Sequence, residues 1–262
     1  MLAPHHSTRL LPPRLRCHHR PGPRAPASPR ALASPPRASL SYTVATRIPL
    51  TPALSAVYDE LLLRAASPPF DAQARQLRAA FELRAGSFPP EHPARSARDA
   101  ASWEDALLAG GLALLLAPSF DDPSERSLVL VFSRAQQGVF VPVSRGKVSC
   151  LQDLWGGGEF LLLPRDDIGR ALGEVQGVPF VGRIVAGSDG CAVLPGRVWL
   201  PEEALPFFPE IFHAARARSM EVDAVVDALL WMEHRLASMS RIKPQVAFRP
   251  EGLDRRAPGS RR

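Results

Sequence analysis

The chain has 262 residues, of which 45% are hydrophobic and 22% are charged, so it contains enough apolar side chains for a packed core. Its formal charge of +6 is located mainly at the ends, because eight of the 32 basic residues and none of the 26 acidic residues precede Asp59. The other 24 basic residues are balanced by the 26 acidic ones, which argues against a folded centre that binds nucleic acid.

Residues 1–45 form a basic leader that lacks acidic residues, and its nine prolines predict disorder. The leader is compatible with an organelle transit peptide or with a start codon assigned too early, and its proline density favours the second. The three cysteines, Cys17, Cys150 and Cys191, form no C-x-x-C pair, which favours a reducing compartment. The longest apolar run is too short for a bilayer span, so we expect no membrane contact. The expected location is the cytoplasm, and the transit-like leader makes an organelle the alternative.

Residues 46–248 are expected to form a single globular domain that begins with a helical part at 46–118. Apolar spacing predicts helices at 55–66, 72–85 and 97–109. Asp71 is expected to cap the second of these helices and Gly86 to end it. For the linker helix at 119–137 the residues fit either a strand or a helix, and Asp122 followed by Pro123 favours the helix.

Residues 138–200 contain six short segments of strand character that are separated by glycine-rich turns. This spacing predicts a small antiparallel β-barrel or curled sheet, with one helical turn inserted at 164–173. The expected strands are 139–144, 147–154, 159–163, 178–186, 191–194 and 197–200. The expected core residues are Val148, Cys150, Leu154, Phe160, Leu162, Val181, Ile184 and Val193.

Residues 201–245 return to helical spacing, which completes an α+β fold whose sheet is flanked by N- and C-terminal helices. Ser219 is expected to cap a helix that reaches Arg241. Residues 249–262 are expected to form a disordered basic tail. The apolar stripe of the long helix is expected to be core, and it comprises Val222, Val225, Val226, Leu229, Met232, Leu236 and Met239.

The sequence shows no catalytic, metal-binding or cofactor-binding motif, so neither a metal nor a cofactor is predicted. Acidic pairs such as Glu104-Asp105 are interpreted as first-turn charges of helices, since neighbouring residues point in different directions on a helix. Glu233 and His234 are expected at the solvent edge of the long helix.

The best candidate for a binding site is the segment that contains Trp155, Gly156, Gly157 and Glu159. Glycines permit close approach of a ligand or partner, and the indole of Trp155 offers a stacking wall. Arg183 is expected to be the nearest cation. The alternative is a plain hairpin turn with Trp155 folded over the mouth of the barrel.

Three segments resemble uncharacterised proteins of high-GC bacteria that contain a small barrel. They are residues 79–108, the Leu-Gln-Asp-Leu-Trp-Gly-Gly-Gly-Glu-Phe segment at 151–160, and the Asp-Ala-Leu-Leu-Trp-Met-Glu helix that begins at Asp227. The resemblance spans about residues 70–245 and differs from the family where Pro93-Ala-Arg-Ser replaces an aromatic-rich stretch. It implies no known activity and no functional residues, and it favours a cytoplasmic bacterial protein.

These observations favour a non-catalytic interaction or regulatory protein in which helices clasp a small barrel and a groove binds another protein. One alternative is an enzyme with a pocket between the barrel and the helices. Another alternative is nucleic-acid binding through the basic tails. The oligomeric state is left open by the sequence.

Overall fold

The computed structural model describes residues 52–162, 175–187, 190–239 and 241–254. The leader at 1–45, the helical turn expected at 164–173 and residues 255–262 of the expected tail lie outside these ranges. All described residues belong to one compact unit.

The N-terminal part is helical, and the helix boundaries follow the local chemistry. Gly86 has a φ of +83° and ends the second helix as predicted. The predicted cap at Asp71 is wrong, because Asp71 is the first helical residue and pairs with Arg75 in the next turn. The Asp122 carboxylate accepts a hydrogen bond from the Ser124 N–H, which confirms the helix in the linker. The helices are α1 (Pro52–Ala65), α2 (Asp71–Ala85), α3 (Arg95–Glu104), α4 (Leu112–Leu116) and α5 (Pro123–Phe132), with a π-helical segment at Asp105–Ala109 and a 3₁₀ turn at Ala117–Ser119.

The central part is an antiparallel sheet in the order β3-β2-β1-β4-β5, with β6 paired to β4. An isolated bridge between Leu162 and Cys191 brings the two ends of the sheet together, so the sheet is curled. This confirms the α+β class and the curled antiparallel sheet. The strands are β1 (Gln136–Arg145), β2 (Val148–Asp153), β3 (Glu159–Leu161), β4 (Phe180–Gly187), β5 (Gly190–Val193) and β6 (Val198–Trp199).

The inner face of the curled sheet holds an aromatic core around Phe140 and Phe180, whose ring centroids are 5.6 Å apart. Leu162, Ile184 and Val193 lie in this core as predicted. Val148 does not, and 43% of it is exposed, because it lies beside the β1–β2 turn and pairs with Arg145 at the end of the hairpin.

The C-terminal part returns to helices, with three corrections to the sequence predictions. Ser219 does not cap the long helix, which begins at Val222 after Glu221. Met239 is half exposed because the helix ends before it, at Ser238. The expected disordered tail is wrong for residues 250–254, which form a 3₁₀ turn that buries Leu253. The elements are a 3₁₀ turn at Glu202–Phe207, α6 (Phe208–Ala217), α7 (Val222–Ser238), α8 (Pro244–Ala247) and a 3₁₀ turn at Pro250–Asp254.

The outer face of the sheet carries two separate apolar cores. The side chains of β4 alternate, so Phe180 and Ile184 face the inner core while Val181 and Val185 face outward. Val181 packs against α6 and α7 in a C-terminal core, whereas Val185 packs against α1, α4 and α5 in an N-terminal core. Arg183 follows the same alternation and lies between the two cores.

Among the described helices, none alone is long and apolar enough to cross a membrane. Arg95–Ala109 and Leu112–Ser119 meet that requirement only as a pair, across a bend of 64°.

Candidate functional site

The glycine-rich segment singled out by the sequence is the turn between β2 and β3. The Asp153 carboxylate accepts a hydrogen bond of 2.9 Å from the Trp155 N–H, and the Asp153 carbonyl accepts one from Gly157. Gly157 has a φ of +76°, which a residue with a side chain rarely adopts. Gly156 approaches the Asp153 carboxylate closely, so a Cβ there would lie 2.5 Å from its oxygen. The conformation of the turn therefore explains why Gly156 and Gly157 are glycines.

Trp155 packs onto α6 rather than over the inner core. Its ring meets Phe212 edge-on at 5.6 Å, and the Arg216 guanidinium lies 4.7 Å from its centroid. Arg216 also donates a hydrogen bond to the Trp155 carbonyl. The cation at this tryptophan is thus Arg216, and the expectation that Arg183 would provide it is wrong. Glu159 lies apart from both, at the surface, where it pairs with Arg145 at 2.5 Å.

Arg183 instead belongs to a charged layer between the two outer cores. This charged layer consists of Tyr58, Arg84, Glu104, Asp105, Arg183, Arg197 and Asp227. Arg84 bridges Asp227 at 2.7 Å and Asp105 at 2.8 Å, and Asp105 in turn binds Arg183 at 3.1 Å. Arg183 also donates to the side-chain oxygen of Gln137 at 2.7 Å. A continuous chain of ion pairs therefore runs from α7 through α2 and the π-helical segment to the sheet.

The π-helical segment explains why two adjacent carboxylates both belong to the charged layer. α3 ends at Glu104, and the wider turn begins at Asp105, whose carbonyl accepts the Gly110 N–H at 2.8 Å. Glu104 is fully buried, and only 8% of Asp105 is exposed. The interpretation of this pair as first-turn charges is therefore wrong, and their position in mid-helix among Trp103 and Leu107 was the available signal.

Glu104 has the most perturbed environment in the charged layer. Its Oε1 accepts the Gly196 N–H and lies 3.4 Å from the Tyr58 hydroxyl, while its Oε2 has no hydrogen-bond partner among the described residues. Burial raises the pKa of Glu104 to about 7, against the opposing influence of Gly196, Arg183 and Arg197. Burial also raises the pKa of Tyr58, with Glu104 adding to the effect.

Arg197 lies in the turn between β5 and β6, directly after Gly196, which contacts the Glu104 carboxylate. Only 2% of Arg197 is exposed, and its Nε and Nη2 atoms have no hydrogen-bond partner in the part of the chain that the structure describes. Burial lowers the pKa of Arg197 to about 10, although the negative charge of Glu104 opposes this change. Glu104 and Arg197 are therefore both buried, and both retain polar atoms without a hydrogen-bond partner among the described residues. Such burial lowers the stability of the fold.

A second buried ion pair joins the C-terminal core to α3. Arg98 binds Glu233 of α7, and it also donates to the carbonyls of Ala85 and Leu230. Glu233 is 2% exposed, so the expectation that it would lie at the solvent edge is wrong. This pair connects three helices, and its carbonyl contacts assign it a structural role.

A cleft of about 170 Å³ opens at the outer end of the charged layer. Its lining combines the Arg84–Asp227 ion pair with the side chains of Met220, Trp231 and Leu253. Burial raises the pKa of Asp227, while Arg84 opposes this change. Glu104 and Arg197 do not line the cleft. The described residues contain no group of three or more His, Cys, Asp or Glu that could hold a metal ion.

The largest concentration of exposed apolar side chains lies on the N-terminal helices. Five of the ten exposed large hydrophobic residues among those described belong to α1, α4 and α5, which contact one another. We call this set the leucine surface, and it consists of Leu63, Leu114, Leu115, Leu130 and Val131.

Acidic residues accompany the leucine surface on the same helices and the adjoining turn. Asp59, Asp121, Asp122 and Glu125 are exposed and form no ion pair within the described ranges. The guanidinium of Arg64, by contrast, binds Glu60 and Ser119. The helices that carry the leucine surface, together with the turn before α5, therefore also carry four exposed carboxylates, alongside the exposed Arg126, which donates to the Phe120 carbonyl.

No protein-family model, curated protein or solved structure matches this chain. The function is therefore argued from the geometry of its own residues.

Proposed function

We propose that this chain is a non-catalytic interaction protein that binds a protein partner through the leucine surface. The observation that carries the proposal is the exposure of Leu114 and Leu115, which are each 53% accessible within a helix of five residues. Contiguous apolar side chains that are rimmed by polar ones are typical of protein interfaces. The exposed carboxylates of Asp121, Asp122 and Glu125, at the start of α5, favour a partner with basic residues beside its apolar face.

The geometry of the charged layer supports a structural role for its ionisable groups. A catalytic group must reach substrate within hydrogen-bond distance, and Glu104 is fully buried with Gly196 packed against its carboxylate. Asp105 and Arg183 are occupied by each other and by neighbouring side chains. The charged layer therefore aligns the two outer cores, and binding takes place at the outer surface of the helices.

An enzyme is the second candidate, and one observation favours it. The pKa of Glu104 is close to neutrality, as a general acid or base requires, and the charged layer reaches the cleft through Arg84 and Asp227. In this alternative the core opens so that a substrate in the cleft reaches Glu104. A screen of hydrolase and transferase substrates tests it, and turnover that is lost in Glu104→Gln would replace the interaction proposal.

The interaction proposal is tested with a chain that carries Leu114→Glu and Leu115→Glu. Both side chains already face solvent, so the charges are expected to leave the fold intact. Partners captured from the native cell by the wild-type chain are expected to be lost from this variant. The matched control is Leu83→Glu, which changes a leucine of α2 that is 59% exposed and lies outside the leucine surface.

Circular dichroism and thermal unfolding establish that both variants are folded. Partners retained by Leu83→Glu but lost by the double variant would support the leucine surface as the binding site. Capture of the same proteins by all three chains would contradict it.

A further inference from the structure

The end of the molecule formed by α7 and α8 carries a second exposed apolar surface, and its charge is opposite to that of the leucine surface. Met239 is 51% exposed and Val246 is 39% exposed. Residues 235–249 include no acidic residue and four basic ones, namely Arg235, Arg241, Lys243 and Arg249. We call these six residues the basic surface.

The cations of the basic surface are available for an external partner. None of them forms an ion pair within the described ranges, and Arg249 donates only to the main-chain carbonyl of Gln245. Arg241, Lys243 and Arg249 are exposed. Unpaired cations beside exposed apolar side chains fit an occupant that combines an apolar face with carboxylates.

We propose that the basic surface of one chain binds the leucine surface of a second copy. The leucine surface has the required chemistry, with exposed aliphatic side chains and the exposed carboxylates of Asp121, Asp122 and Glu125, which form no ion pair within the described ranges. The inference rests on the proposed function, because it assigns a partner to the same leucine surface.

The fold separates the two surfaces, which determines the type of assembly. The leucine surface lies on helices of the N-terminal core, whereas α7 and α8 belong to the C-terminal core on the other side of the charged layer. The contact is therefore heterologous, and a pair of chains retains one unused surface of each kind. Association of this type continues with rising concentration rather than stopping at a symmetric dimer.

Sedimentation velocity of the full chain tests this inference with two variants. One carries Leu114→Glu and Leu115→Glu, and the other carries Arg241→Glu and Lys243→Glu. The wild-type chain is expected to form larger species as its concentration rises, and each variant alone is expected to stay monomeric, because every contact needs one intact surface of each kind. An equimolar mixture of the variants is expected to form a species of about twice the monomer mass, because one intact surface of each kind remains.

Raising the salt concentration from 50 mM to 500 mM is expected to weaken the mixed dimer, since exposed charges are screened within a few ångströms at high salt. A monomeric wild-type chain, or a mixture that stays monomeric, would overturn the inference. If the wild-type chain is monomeric but the leucine variant still loses its cellular partners, the proposed function stands without self-association. Binding of a single-stranded oligonucleotide that is lost in the Arg241→Glu, Lys243→Glu chain would assign the basic surface to nucleic acid and would also overturn it.

Discussion

Replacement of Glu104 by Gln is expected to change how the stability of the fold depends on pH. In the unfolded chain the carboxyl group has its ordinary pKa of 4.5, whereas burial raises that pKa to about 7 in the folded state. Between these values the folded chain holds one proton more than the unfolded chain, so the free energy of unfolding falls as the pH rises. A tenfold change in proton affinity corresponds to about 1.4 kcal/mol, so the free energy of unfolding is expected to fall by about 3 kcal/mol between pH 4.5 and pH 7.

Glutamine has nearly the same shape as the protonated carboxyl group and does not titrate. The groups that face Glu104 are Tyr58, Gly196, Arg183 and Arg197, and all of them remain in the variant. The difference in unfolding free energy, Glu104→Gln minus wild type, is therefore expected to increase by about 3 kcal/mol from pH 5 to pH 8.

Urea denaturation of both chains at a series of pH values measures this difference, and contributions of other titrating groups cancel in it. Glu210→Gln is the matched control, because Glu210 is exposed on α6. The unfolding free energy of this variant is expected to depend on pH in the same way as that of the wild type. If this difference in unfolding free energy does not change with pH, the conclusion that burial raises the pKa of Glu104 in the folded chain is refuted.

Three further changes probe the packing around the charged residues. Gly196→Ala is expected to lower the unfolding free energy by about 1–3 kcal/mol, because the new Cβ would lie 2.5 Å from the carboxyl carbon of Glu104. Gly158→Ala is the control and is expected to have little effect, because its nearest neighbour would lie 3.9 Å away. Denaturation experiments on both variants measure the difference. Arg98→Met is expected to lower the unfolding free energy by about 3–5 kcal/mol, because Glu233 then remains buried without the Arg98 guanidinium. The double variant Arg98→Met, Glu233→Met is expected to regain part of this free energy, because the buried carboxylate is also removed. Cys191, whose thiol pKa is raised to about 12 by burial, is expected to resist iodoacetamide at pH 8 in the folded chain, as peptide mass spectrometry would show.

Specific results would contradict each of these expectations. Equal stability of the two alanine variants would mean that Gly196 does not pack against the carboxylate. A double Met variant no more stable than Arg98→Met would show that the loss of the Arg98–Glu233 ion pair is not the source of the destabilisation. Rapid alkylation of Cys191 in native conditions would show that the thiol reaches solvent.

The strands and most helices could be predicted because short-range signals determine them. The strand segments are bounded by glycine and proline turns, and Asp122 with Pro123 marks a helix start in residues that otherwise favour a strand. The errors occur where a tertiary contact decides the outcome. Met239 continues the apolar stripe of α7, but the helix ends before it. Leu253 is buried although the segment around it is polar.

The charged layer could not be predicted from the sequence because its residues come from seven separate places in the fold, namely α1, α2, the end of α3, the π-helical segment, α7, β4 and the turn between β5 and β6. The spacing of Glu104 and Asp105 predicts different directions on an α-helix, and only the π-helical turn places both in the charged layer. Arg183 was recognised as a site residue but was assigned to the wrong neighbour. The strand pairing places it opposite Gln137, whereas the cation that reaches Trp155 comes from α6.

We propose that binding occurs at the leucine surface while the buried charges maintain the fold. The decisive experiment is quantitative partner capture with three chains measured side by side: wild type, Glu104→Gln, and Leu114→Glu with Leu115→Glu. Glu104→Gln is expected to capture the same proteins in the same amounts as the wild type, and the leucine variant is expected to capture none of them. Loss of the partners from Glu104→Gln, with retention by the leucine variant, would contradict it.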